Sequence, residues 1–243
     1  MFVGIDGARI RNVVGPGWVA VVVGKADVVR VLACGNLADV LSDPDVRDAD
    51  RIAIDMPIGL PETAITGGRE CEQLVRHFLV GVRKSSVFSS PSWRSLDGTT
   101  RERADMINRA NGGKGVTAQA FGLFPRLREV DQLISADSQG WIVETHPEAG
   151  FALLACEHGV ANPLAGKNSK EGLEQRRKLI EKEMCVAELD RLARQAPKVK
   201  DDDLLDAAVA AWTAKRHFLG AARAFPVVAG APDRRGRLMQ IWA

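Results

Sequence analysis

Residues 1–34, MFVGIDGARIRNVVGPGWVAVVVGKADVVRVLAC, decide how the chain is read. Met1 to Ile5 is a short apolar run that stops at Asp6-Gly7, a strand running into a turn. Gly15-Pro16-Gly17 makes a second turn. Trp18 to Val23 is apolar and β-branched, and Val28 to Ala33 repeats that composition after Gly24-Lys25. Branched side chains suit a pleated, half-buried surface, and short turns join only antiparallel neighbours. The stretch therefore reads as an antiparallel meander of three strands.

Working outward, Asn36 to Leu41 suggests a brief helix, and Arg51-Ile-Ala-Ile-Asp55 a buried strand closed by the turn from Pro57 to Pro61. Arg69 to Val80 has helical spacing, with Cys71, Leu74, Val75 and Phe78 on one side. Residues 82–100, rich in Ser, Pro, Arg and Gly, read as a long loop. Val116 to Ile134 is helical, with Pro125 expected to kink or divide it. Trp141 to Glu144 is a short strand, and His146-Pro147-Glu148 opens a helix. Lys170 to Ala193 reads as one long charged helix and Asp201 to Leu219 as a more apolar one. A hairpin of Phe225 to Val228 with Leu238 to Trp242 ends the chain. Antiparallel strands followed by alternating strands and helices predict a mixed five-stranded sheet flanked by helices, within one domain over 1–243 carrying a helical or loop insertion at about 62–140.

Composition narrows the class. Hydrophobic residues make up 46% and charged residues 26% of the 243, as in soluble globular proteins. No apolar run reaches membrane-spanning length, and the N-terminus has no basic segment followed by a long apolar one, so neither a membrane nor export is expected. Cys34, Cys71, Cys156 and Cys185 are scattered without a CxxC, which fits reduced thiols in a cytoplasm. A net charge of +2 does not by itself argue for nucleic acid. There is no tyrosine, so any stacking on bases would use Trp, Phe or Arg.

The acidic residues carry the chemistry. Asp6, Asp55 and Glu144 each end an expected strand, and Asp202, Asp203 and Asp206 lie in the first turns of the last long helix. A partly buried carboxylate loses solvation, and a hard cation offsets that loss. Each has a plainer reading. Asp6 and Asp55 serve equally as turn residues, and acids at a helix start complement its dipole. Asp206 resists that explanation, because Ala-Ala-Val-Ala-Ala-Trp follows it, and Asp203 lies on the same face. Glu148 either stabilises the N-terminus of its helix or faces the same site as Glu144, and His146 is either a proton carrier or a hydrogen-bonded structural residue.

Five stretches together carry a family resemblance: GIDGA at 4–8, GWVAV at 17–21, IAIDMPIGLP at 52–61, VETHPE at 143–148 and DDLLDA at 202–207. Arg69-x-Cys-Glu, RKSSVF at 83–88 and GKGVTAQAFGLFPRLREVD at 113–131 add to them. The chain resembles an uncharacterised bacterial and archaeal family described as predicted RNase H-like nucleases (domain of unknown function 429). More distantly it is similar to RuvC-type resolvases, in which a first-strand Asp, a fourth-strand acid and a D-x-x-D-A pair on the last helix bind metal. The resemblance implies an RNase H-like fold with Asp6, Asp55, Asp203 and Asp206 as ligands of Mg²⁺ or Mn²⁺, and Glu144 as a further catalytic acid. Asp55 departs from the more usual Glu there. Arg83, Lys84, Lys167 and Arg176 then become candidate contacts to a nucleic-acid backbone, the alternative being a solvated helix face.

The function so implied is metal-dependent hydrolysis of phosphodiester bonds in DNA or RNA. Two other classes compete. GIDGA also resembles the phosphate-loop strand of actin-like phosphotransferases, though 243 residues leave room for one such domain and no glycine-rich adenosine loop stands out. A non-catalytic binding protein of the same fold would keep the acids for structure.

Overall fold

The strands form where branched residues cluster. β1 (Phe2–Gly7), β2 (Trp18–Val23) and β3 (Val28–Cys34) make the expected meander, β1 antiparallel to β2 and β2 antiparallel to β3. α1 (Leu37–Ser42) follows, capped by the Asn36 side chain, which accepts from the Asp39 amide at 2.8 Å. After the single turn α2 (Pro44–Arg47), β4 (Arg51–Ile54) pairs parallel with β1. The computed structural model describes residues 1–243 except Ala26, Val80, Asn162 and Lys198, and except the side chains of Val82 and Arg83.

The middle of the chain is helical: α3 (Glu70–Phe78), two 3₁₀ turns at Gly81–Ser86 and Trp93–Asp97, then α4 (Arg101–Ala110), α5 (Ala118–Gly122) and α6 (Phe124–Leu133). The helix expected over 116–134 is divided at Leu123, and Pro125 sits in the first turn of α6, where its missing N–H costs nothing. In this part Trp93 lies between two guanidinium groups, Arg94 at 4.8 Å and Arg234 at 4.0 Å from its ring centre.

β5 (Ile142–Thr145) then pairs parallel with β4, and α7 (Pro147–Glu157), α8 (Lys170–Ile180), α9 (Val186–Ala193) and α10 (Asp201–Phe218) follow. One helix was expected over 170–193, and two are found. The chain turns at Glu181 to Met184 and becomes extended at Cys185, whose amide donates to the Asp27 carboxylate at 2.9 Å. The tail supplies β6 (Ala224–Phe225) and β7 (Ile241–Trp242). The sheet thus has seven strands in the order β3-β2-β1-β4-β5-β7-β6, where five were expected, because two residues at each end of the tail join its edge.

By contact the chain divides into two units: Met1–Asp55, Trp141–Arg223 and Trp242–Ala243 form unit 1, and Met56–Gly140 with Ala224–Ile241 form unit 2. In unit 1, α10 lies across β1, β2 and β4. Gly4 permits the closest approach: a Cβ there would stand 2.0 Å from Ala207 O and 2.1 Å from Ala211 N. Val19, Val21 and Val23 of β2 share one apolar cluster with Leu205, Ala208 and Trp212 of α10. Among the described residues no helix is long and apolar enough to cross a membrane.

Candidate active site

Two strands and one helix of unit 1 bring acids together. Ile5 and Ile54 are register partners in the parallel pair β1–β4, and the Asp55 amide donates to Ile5 O at 2.8 Å. The next residues are Asp6 and Asp55, side by side at the carboxyl ends of their strands. Side chains alternate along a strand, so Asp6 shares the α10 face with Gly4. Asp206, in the second turn of α10, meets them from the helix. Asp6 is 6% exposed and Asp206 2%, while Asp55 is half-buried. Asp203, a turn earlier, is also half-buried, and its carboxylate accepts from the backbone amide of Arg9.

Burial and mutual repulsion raise the proton affinity of this group. Burial lifts Asp6 well above the ordinary aspartate range, and Asp55 and Asp206 add to the effect. Burial also raises Asp55, against the restraint of His146, Lys167 and a hydrogen bond with the Asp6 carboxyl. Asp206 is pushed up to about 7, chiefly by burial, with Lys167 opposing and Asp55 and Glu148 reinforcing.

Lys167 supplies the counter-charge. Its Nζ donates to Asp206 Oδ2 at 2.6 Å. Burial works against the ammonium, yet Asp206, Asp6 and Asp55 together hold its pKa above the usual lysine value. The turn that carries it is built from several sides. Gly166 O accepts from Ser169 N at 2.8 Å and Ser169 Oγ at 2.7 Å, and Ala165 N donates to Gln175 Oε1 at 2.7 Å. Gly172 lets α8 approach, since a Cβ there would stand 2.0 Å from Gly166 O. Arg176, fully buried, donates to Ala165 O at 3.0 Å and grips both oxygens of Glu148 at 2.8 and 2.9 Å.

The residues singled out from sequence therefore separate. Asp6, Asp55 and Asp206 come together, with Asp203 at the margin. Glu144 is buried, but it is the register partner of Ile54, so alternation turns it to the sheet face opposite Asp6 and Asp55. Arg176 is spent on Glu148 and the turn, not offered to solvent. Lys167 bonds a carboxylate of the cluster itself. Lys84 is exposed in unit 2, and the side chain of Arg83 lies outside the described residues. Glu148, for which the sequence allows a helix-start role or a place in the site, adds negative potential at both Asp55 and Asp206. The only sequence signal was its place in VETHPE, beside His146. His146 Nδ1 is buried and has no hydrogen-bond partner among the described residues. Among those residues no three or more of His, Cys, Asp and Glu are grouped so as to hold a metal ion as they stand.

A family model described as "Protein of unknown function (DUF429)" matches residues 4–230. The chain belongs to the DUF429 family. No curated protein and no solved structure matches it. The matched span of this DUF429 chain includes Asp6, Asp55, Lys167 and Asp206, so the whole cluster lies within the family region.

Proposed function

We propose that this DUF429 chain is an RNase H-like nuclease that hydrolyses phosphodiester bonds of DNA or RNA with Mg²⁺ or Mn²⁺. The observation that supports the reading is the meeting of Asp6, Asp55 and Asp206 at the carboxyl ends of adjacent parallel strands, where open α/β sheets hold their ligands. Their chemistry fits a hard divalent cation: oxygen donors only, crowded enough to raise one another's proton affinity, and already drawing an ammonium. Mg²⁺ commonly takes one or two carboxylates and fills its remaining positions with water and substrate oxygens, so a complete protein cage is not required. Asp206 and the Asp6–Asp55 pair would hold the ion. Bound there, it would lower the pKa of a water and polarise a phosphoryl oxygen.

The chain's own residues have separate tasks. The Asp6–Asp55 pair, whose proton affinity burial raises, accepts and returns protons. Lys167 offers an ammonium to anionic oxygen at the edge of the cluster, where its side chain keeps 39% exposure. Arg176 and Ser169 fix the turn that aims it. The test is a cleavage assay on end-labelled DNA and RNA with Mn²⁺. Asp6→Asn and Asp206→Asn are each expected to lower the rate about a hundredfold or more. Undiminished cleavage by either variant would overturn the reading.

The placement of Asp6 beside Asp55 at the ends of paired strands favours one other chemistry, an acid–base carboxyl pair working without metal. Hydrolysis that persists in EDTA and is lost in Asp55→Asn selects it.

A further inference from the structure

Unit 2 contains a cavity of about 360 Å³, within the size range of small-molecule sites. Its lining comes from residues 64–67, 88–91, Asn108, 113–117, Gln119 and Ala120, all within that unit. Gly113-Lys114-Gly115 forms one side of it.

The loop is held in place from behind. Asn108, 6% exposed, donates from Nδ2 to Lys114 O at 2.8 Å, and its Oδ1 accepts from Ser92 N at 2.9 Å. Asp105 accepts from Val116 N at 2.6 Å. Glycine lets the loop pack closely at both flanks of Lys114. A Cβ on Gly113 would stand 2.4 Å from Asn108 Nδ2, and one on Gly115 2.6 Å from Arg109 Nη2. Packed this closely, the loop presents its backbone to the cavity with little side chain in the way.

Charge indicates what the cavity takes. Among its sixteen lining residues, Lys114 is the only charged one, and none is acidic. The carboxylates bonded to the lining from outside are already matched: Glu72 by Arg69 at 2.7 Å and Asp105 by Arg109 at 2.9 Å. Arg76 adds positive charge behind the wall, donating to Gly67 O and to Val87 O. Among the described residues the backbone amides of Lys114 and Gly115 have no protein acceptor, and neither does the Ser89 hydroxyl. Ile65, Phe88, Pro91 and Val116 give the remaining wall an apolar character. A cation beside free backbone amides suits a phosphate, and an apolar wall suits the body that carries it.

We propose that this cavity binds a phosphomonoester of sugar-phosphate to mononucleotide size, its phosphate on Lys114 and the amides of Lys114 and Gly115, its body against Phe88 and Ile65. The cavity shares no residue with the carboxylate cluster, and the proposal does not depend on nuclease activity.

The test is calorimetric titration of the full chain, in EDTA, with adenosine 5′-monophosphate, ribose 5-phosphate and adenosine. At least one phosphomonoester is expected to bind saturably at one site, with adenosine about tenfold weaker or worse. Lys114→Ala is expected to weaken binding about tenfold, Lys114→Arg to restore most of it, and Asp206→Asn to leave it unchanged. In amide spectra, Lys114 and Gly115 should move on titration. Absence of binding by both phosphomonoesters, or affinity indifferent to Lys114→Ala, would overturn the proposal. So would loss of binding in Asp206→Asn.

Discussion

With Lys167 Nζ 2.6 Å from Asp206 Oδ2, the acid cluster already holds a cation of its own, and a divalent ion would compete with it for the same oxygen. Lys167→Met is therefore expected to lower the melting temperature in EDTA and to enlarge the rise produced by Mn²⁺, both read by scanning fluorimetry. A smaller Mn²⁺ response than wild type would contradict the competition. Asp206 also predicts a pH dependence. Its proton is held up to about pH 7 in the fold but only to about the ordinary aspartate value of 3.8 when unfolded. The folded chain binds the proton more tightly, so stability falls as pH rises between those values and levels off above about 7. Asp6 and Asp55, raised in the same sense, act in the same direction. His217 acts oppositely: burial lowers its pKa from 6.5 to about 4, so its contribution rises with pH over that range and is complete above it. Lys167, raised above 10.5, loses its contribution only at higher pH. From pH 6.5 to 8 in EDTA, the wild-type melting temperature should fall, and that of Asp206→Asn should fall less. A flat wild-type profile would refute this. The sequence displayed Asp6, Asp55 and Asp206 through their places at strand ends and on an apolar helix. It gave no sign that Lys167, 39 positions before Asp206, reaches back to it, because such a contact is set by the α7–α8 connection and not by any local pattern.

Between elements, the decisive contacts are Gly4 on α10 and Arg176 between α7 and α8. Arg176→Met removes the partner of a buried carboxylate, Glu148, and is expected to cost about 3–5 kcal/mol in urea denaturation. It should also loosen the turn bearing Lys167, whose charge holds the Asp206 pKa down, so the Asp206→Asn effect on the pH profile should grow in that background. Gly4→Val drives a branched side chain into the backbone of α10 and is expected to cost more than about 3 kcal/mol. A near-wild-type denaturation midpoint in either variant would show that the contact yields. Periodicity made most elements readable, since branched runs and an amphipathic spacing are local properties. The misreadings also have local causes. The charged pattern from 170 to 193 runs on through the break at Cys185, because that break depends on Asp27, remote in sequence. Glu144 looked like Asp6 and Asp55, an acid closing a strand. Its face follows from register, which a single sequence does not display: β5 continues to Thr145, so Glu144 pairs with Ile54.

Over the whole molecule, the chain leaves unit 1 after Asp55, returns at Trp141, leaves again after Arg223 and comes back for its last two residues. The tail fastens each unit internally. In unit 2, Arg237 bonds Asp131 at 2.5 Å and Asp233 at 2.6 Å. In unit 1, Thr145 Oγ1 donates to Trp242 O at 2.8 Å, and Arg223 and Ala243 exchange two backbone bonds of 2.7 and 3.0 Å. Deleting residues 224–243 is thus expected to speed hydrogen exchange in both β5 and α6; unchanged protection in either would refute it. The return of 224–241 to the unit of 56–140 has no local signal in the sequence, because it is made by contacts between remote residues such as Arg237 and Asp131. The placement of α10 over the meander has a consequence for biosynthesis. β2 is finished at Val23, but the helix that covers it begins only at Asp201. At roughly 5–20 residues per second, a ribosome needs on the order of ten to forty seconds to supply that cover. Throughout that interval Val19 and Val21 lack the helix face that buries them, so the nascent chain carries an apolar sheet face that the finished one covers.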